Sequence, residues 1–256
     1  MKIGVCTDTA RLGLVKSLGY DFAEFNLTVT SKLTDEEFET AVAETKKQGM
    51  RVETFNNFVP ADIKLSADID LDTIRSYSNA AFARAEKLGG EIIVIGSGGA
   101  RRIPDGYDKN VAHDNFARAL DTIADCAKAH NLKIAIEPLN FHEVNLINTL
   151  KDAYEMCRKV GREDVGYIVD LYHFYRNGED WADITKYGEG LIHTHLARMN
   201  EDRGAPTMAD IEDVRRFMTE LDAAGYKGRM SLECTFRPTF EEAISKSADM
   251  FAAMKK

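Results

Sequence analysis

Short runs of branched apolar residues alternate along this chain with longer stretches in which apolar positions recur every three to four residues. The strand-like runs are "IGVCTD", "DFAEFNLT", "RVETFNNF", "EIIVIGSG", "KIAIEPL", "VGYIVDLYHF", "LIHTHLAR" and "RMSLECTF". Between and after them lie "ARLGLVKSLG", "TDEEFETAVAETKKQG", "DLDTIRSYSNAAFARAEKLG", "HDNFARALDTIADCAKAHN", "TLKDAYEMCRKVG", "WADITKYG", "MADIEDVRRFMTELDAAG" and "TFEEAISKSADMFAAMKK", all with helical periodicity. Several of these open on Thr or Asp and close on Gly or Asn, as helix ends require. No Ser/Pro-rich linker interrupts the series. Eight β/α units over residues 1–256 predict one α/β domain, a closed (β/α)8 TIM barrel. An open doubly wound sheet would carry a GxGxxG turn after its first strand, and "CTDTARLG" is not one.

In such barrels the chemistry collects where strands run into the following loops, so the last inward residue of each strand matters most. Side chains alternate faces along a strand. By that parity Glu137 shares a face with Ala135, Asp170 with Ile168 and Gly166, His195 with His193, and Glu233 with Ser231. Ile134 and Ile136, Tyr167 and Val169, Ile192 and Leu196, and Met230 and Leu232 are then left to face the helices. Three carboxylates crowded at neighbouring strand ends would repel one another unless a cation joined them. Glu137, Asp170, His195 and Glu233 therefore read as the ligands of one divalent ion. Oxygen donors with one imidazole suit Mn2+, Mg2+ or Co2+, with Zn2+ admissible.

Composition changes this picture little and charge narrows it. With 44% hydrophobic and 29% charged residues the chain has material for a packed core. A formal net charge of -9, with scattered basic residues, argues against a nucleic-acid partner. The four cysteines have no CxxC spacing, which suits free thiols in a reducing compartment, so the cytoplasm is the expected location. No stretch reaches the roughly 18 apolar residues of a membrane span, and "MKIGVCTD" lacks a signal-peptide profile.

"IEPLN", "VDLYH", "IHTHL" and "SLE", in this order, resemble the xylose isomerase-like superfamily of barrels, and within it the ketose 3-epimerase branch typified by D-tagatose 3-epimerase. The resemblance covers the whole chain. It implies a metal-dependent sugar isomerase or epimerase, the ligand set already named, and a dimer or tetramer. It also implies that Glu143 and His173, six residues after Glu137 and three after Asp170, hold substrate hydroxyls. A ketose has an acidic proton at C3, and a metal-stabilised enediolate would let Glu137 and Glu233 act as acid and base on opposite faces of the sugar. The same groups could interconvert aldose and ketose, or expel a hydroxyl as a keto-polyol dehydratase or lyase. Phosphodiester cleavage on the related trinuclear pattern needs further histidines after the third and fourth strands, where "TFNNF" and "IGSGG" have none.

The match weakens in the loops that would touch substrate. Where the branch has an arginine six positions after the metal histidine, this chain has Glu201, and Arg198 and Arg203 are the nearest replacements. "GSGGARRIPDG" offers Arg101 and Arg102 as a clamp for a phosphate or carboxylate. "TFNNF" offers Asn56, Asn57 and Phe58 as lining, with Asn57 taken as the substrate contact.

Overall fold

The computed structural model describes residues 1–255. Eight parallel strands close in chain order, β1 (Lys2–Cys6), β2 (Phe22–Asn26), β3 (Val52–Asn56), β4 (Ile92–Ile95), β5 (Lys133–Ile136), β6 (Val165–Asp170), β7 (Leu191–Leu196) and β8 (Arg229–Leu232), and β8 pairs back onto β1. Around them run α1 (Leu12–Ser17), α2 (Leu27–Lys32), α3 (Asp35–Gln48), α4 (Leu71–Leu88), α5 (Gly98–Arg101), α6 (Lys109–Ala129), α7 (Leu150–Val160), α8 (Leu171–Asn177), α9 (Ala182–Lys186), α10 (Ile211–Ala223) and α11 (Phe240–Met254). Among the described residues no helix is long and apolar enough to cross a membrane.

The expected (β/α)8 architecture is present, with three short helices that the periodicity did not reveal. α2, α5 and α8 follow β2, β4 and β6 almost at once. α8 takes over a segment that reads as strand, because the Asp170 side chain accepts from the backbone N–H groups of Tyr172 and His173 and starts a helix there. Elsewhere the punctuation acts as the residue types require. Thr34 and Glu37 form a reciprocal capping box on α3, Thr149 and Asp152 another on α7, and Gly49 and Gly161 end those helices in the left-handed region.

Burial separates the two faces of the strands. Ile92, Val94, Ala135 and Ile168 form a small apolar cluster inside the barrel. Ile134, Ile136, Tyr167, Val169, Leu196, Met230 and Leu232 belong to the larger cluster between barrel and helices. Two bulges break the alternation. The β6–β7 pairing steps from Tyr167–Leu191 to Ile168–His193, so Ile192 is the extra residue, and it packs against the interior cluster instead of the helices as expected. The β2–β3 pairing steps from Ala23–Val52 to Glu24–Thr54, which leaves Glu53 extra. Glu53 is taken up at the N-terminal end of the barrel by Lys2 (2.8 Å) and Arg229 (3.1 Å).

One structural carboxyl gives the fold a pH dependence. Glu179, partly buried after α8, accepts the Leu150 N–H at 2.8 Å at the start of α7. Burial, with Asp183 and Asp152 nearby, raises its pKa from 4.5 to about 7 against that hydrogen bond. The folded chain therefore holds this proton more tightly than the unfolded one. Its contribution is complete below the ordinary carboxyl range and is lost as pH rises through about 7. With partial exposure discounted, the loss is on the order of 2 kcal/mol. Glu179→Gln keeps an acceptor for Leu150 and removes the titration, so urea melts should show the variant more stable than the parent at pH 8 and close to it at pH 5.

Candidate metal centre

Four strand ends converge. Glu137 follows β5 and donates its N–H to the Ile95 carbonyl, while its own carbonyl accepts from Arg101 Nη2. Asp170 ends β6. Its Oδ1 is spent on capping α8, which leaves Oδ2 for the barrel mouth. His195 lies near the end of β7, and Glu233 follows β8 with its N–H on the Leu196 carbonyl. One ligand atom from each of the four lies within 4.8 Å of the others. His195 Nδ1 stands 3.0 Å from Glu137 Oε1, 3.3 Å from Glu233 Oε2 and 3.8 Å from Asp170 Oδ2. Glu137, Asp170 and His195 are buried and Glu233 nearly so. A Cβ on Gly96, the residue after β4, would land on Glu137 Oε2, so a larger residue here would displace that carboxylate oxygen.

Arg203, from the loop after β7, reaches into this cluster. Its Nη2 pairs with Asp170 Oδ2 at 3.0 Å and with Glu233 Oε2, and its guanidinium lies 5.1 Å from the centre of the Tyr172 ring. The loop is pinned behind it. Thr235 N donates to the Arg203 carbonyl at 2.8 Å, and Arg198 N to the Gly204 carbonyl at 2.9 Å. Arg203 itself sits at φ 50°, a left-handed conformation that side-chain-bearing residues adopt at a cost.

These neighbours set the two glutamates apart. Burial, then the charge of Glu233, pushes the Glu137 carboxyl above its ordinary range against the pull of His195. Burial pushes Glu233 the same way, but Arg203 and His195 outweigh it and hold that carboxyl well below the usual range. His195 is likewise opposed by burial and held well above the ordinary imidazole value by Glu24, Glu233 and Glu137.

Glu24, in mid-β2, is the residue that sequence reasoning missed. It is fully buried and bonds to His195 Nε2, His193 Nε2, Thr54 and Ser231. The available signal was a carboxylate between Ala23 and Phe25 in a strand that opens on Phe22. Asn56, expected only as lining, reaches a ligand. Its Nδ2 donates to Glu233 Oε1 at 2.8 Å, and its buried Oδ1 has no partner among the described residues.

The other expected contacts divide. His173 comes to the cluster with Nε2 4.0 Å from Asp170 Oδ2. The backbone N–H of Asn140 donates to His173 Nδ1 at 3.2 Å, so the proton belongs on Nε2, a buried atom without a partner. Glu143 lies beside it, 3.9 Å from His173 Nδ1, and accepts from Asn140 Nδ2 at 2.8 Å. Asn57 turns away at φ 46°, its carbonyl taken by Thr28, though it lines a cavity of ≈ 470 Å³ with Cys6, Glu24 and Asn56. Phe58 stacks on Phe82 in the core. Arg198 is held by Asp210 at 3.0 Å and Asp202 at 3.9 Å, and the contact with the cluster belongs to Arg203. Arg101 is wholly buried against the Glu137 carbonyl, where burial lowers its pKa to about 10; of the two arginines in "GSGGARRIPDG" only Arg102 is exposed, with its Nη2 on the Glu143 carbonyl.

The donor set fits a divalent cation. Three carboxylates and one imidazole nitrogen face a common point, the arginine drawn onto two of them shows the demand for positive charge, and the remaining ring nitrogen is already engaged.

A family model described as "Xylose isomerase-like TIM barrel" matches residues 12–254. An inosose isomerase of Halalkalibacterium halodurans is 28% identical over 144 residues, 51% of this chain and 50% of that protein. The chain thus aligns with about half the length of the first relatives it matches. An L-ribulose 3-epimerase of Mesorhizobium japonicum is 23% identical over 239 residues, 82% of this chain and 80% of that one. Among solved structures, 3-keto-D-glucoside 4-epimerase from E. coli superposes with a TM-score of 0.81 at 20% identity, over 100% of this chain and 99% of the other.

Proposed function

This chain belongs to the xylose isomerase-like TIM barrel family, and on that premise we propose that it is a divalent-metal-dependent sugar isomerase or epimerase that inverts a ketose, free or phosphorylated, at C3. The observation that carries this reading is the convergence of Glu137 and Glu233, from strand ends separated by two others, on one cluster of ligand atoms. Inversion needs one carboxylate to take a proton and one carboxyl to return one from the other face, and two glutamates that reach the cluster from strands separated by two others are suited to those two roles. A divalent ion held by Glu137, Asp170, His195 and Glu233 would supply Lewis-acid stabilisation of the charge that develops on the substrate oxygens. The protein's own groups do the rest. Of Glu137 and Glu233, one takes the C3 proton and the other returns one from the opposite face. The His173 Nε2–H and the Glu143 carboxylate hold sugar hydroxyls, and Arg203 faces the oxygens nearest the reacting carbon.

The relatives named L-ribulose 3-epimerase and ketose 3-epimerase support a linear ketose, and the inosose isomerases support a cyclic keto-polyol as the second candidate. Mn2+, Mg2+, Co2+ and Zn2+ all suit the donors, and the free thiols suit a reducing cytoplasm. The deciding experiment incubates metal-loaded protein in D2O with free ketoses, phosphorylated ketoses and an inosose, and follows them by NMR. Deuterium at C3 with appearance of the C3 epimer is expected. Exchange with loss of water would identify a dehydratase, aldose formation would identify an isomerase, and no exchange with any of them would end this reading.

A further inference from the structure

The Glu24 carboxylate is saturated. His195 Nε2–H donates to Oε1 at 2.8 Å, while Oε2 receives His193 Nε2–H at 2.8 Å, Thr54 Oγ1–H at 2.6 Å and Ser231 Oγ–H at 2.6 Å. Four donors match the roughly four lone-pair sites that an ionised carboxylate offers. All five residues are 0% exposed, so none of these bonds exchanges with bulk water. They arrive from β2, β3, β7 and β8, and Glu24 thereby ties four of the eight strands together below the mouth of the barrel.

This network bears on the metal centre through one ring. His195 spans the space between Glu24 on its Nε2 side and Glu137, Asp170 and Glu233 on its Nδ1 side. A neutral imidazole carries one proton, and a carboxylate that can only accept demands it on Nε2. We propose that Glu24 is the positioning residue of the metal centre, orienting His195 and fixing its tautomer so that Nδ1 is the nitrogen presented to the ion. This rests on the reading of the four-residue cluster as a metal site, and it assigns to this chain a carboxylate–histidine–metal relay whose outer member is Glu24. Cys6, Glu24 and His195 also present ligand atoms within 4.8 Å of one another. A second ion there would have to displace the donors on Glu24 and the Nε2 proton, so the same residues serve the first site instead.

Three measurements test this. In wild-type protein carrying 15N-labelled histidine and loaded with Zn2+, His195 should show a protonated Nε2 and a metal-bound Nδ1; the reverse assignment overturns the proposal without any mutant. Titrated with Mn2+, Glu24→Gln should bind roughly 10- to 100-fold more weakly, since its amide can turn a donor toward His195, and Glu24→Asp should recover most of the loss. Ser231→Ala, which removes a donor from Oε2 and leaves the His195 bond intact, should stay within about three-fold of wild type, and it distinguishes orientation of the ligand from general support of the core. Equal affinity in wild type and Glu24→Gln, or two ions bound per chain, would refute Glu24's role. Failure of the wild type to bind Mn2+ or Zn2+ would instead refute the metal site itself.

Discussion

Replacing either glutamate of the proposed acid–base pair by glutamine should reduce deuterium wash-in at C3 of the ketose by about 10³-fold, within the range that a positioned proton-transfer group contributes. Glutamine keeps the shape of the side chain and one oxygen donor but can neither take nor return the proton. The two variants should differ in metal content. Glu233→Gln loses its charge and keeps an acceptor for only one of its two donors, Arg203 on Oε2 or Asn56 on Oε1; that one bond still holds the side chain, so the variant should retain a bound ion and fail in chemistry. Glu137 stands with His195 on one side and the backbone of Gly96 on the other, and among the described residues the imidazole is its one side-chain donor. Glu137→Gln should therefore lose metal affinity along with exchange. Metal analysis of the purified variants beside NMR exchange rates checks both halves, and a variant that exchanges at wild-type rate removes that glutamate from the mechanism.

The parts of the site that could be read in advance are those that depend on local alternation. Glu137, Asp170, His195 and Glu233 lie on strands whose inward and outward residues differ in character, and Ala135 and Ile168 do fall inside the barrel while Ile134 and Val169 face the helices. A bulge defeats the same argument at Ile192, the extra residue of β7, which changes sides. On β3 the residue that reaches Glu233 is Asn56, on the face of Thr54, and Asn57 falls beyond the strand. Glu24 escaped because a strand interior is a place where parity predicts packing, and its four donors come from residues 30 to 207 positions away. The choice of Arg203 over Arg198 depends on a loop with no periodicity, where only the pinning by Thr235 and the acidic partners of Arg198 separate them.

Arg203 leads to a result that runs opposite to the usual effect of removing a cation from an acidic site. In metal-free protein its guanidinium neutralises Asp170 and Glu233, side chains only 1% and 16% exposed. Removing one partner from such a pair leaves buried charge uncompensated, at a cost of about 3 kcal/mol. For a domain of this size that corresponds to a melting point lower by roughly 6–12 °C. Arg203→Met is the suitable change, because methionine at φ 50° carries the same backbone cost as arginine whereas glycine would relieve it. A divalent ion supplies the missing positive charge, so saturating Mn2+ should bring the variant close to the metal-loaded parent. The same logic makes the guanidinium a competitor for the ligand oxygens, and its removal should tighten Mn2+ binding by roughly ten-fold, equivalent to about 1.4 kcal/mol. Substrate binding should weaken, since the arginine released by the ion is then free to face the sugar. Thermal melts and Mn2+ titrations on parent and variant decide the matter: equal melting points without metal, or weaker ion binding in the variant, would show that Arg203 does not stand in for the cation.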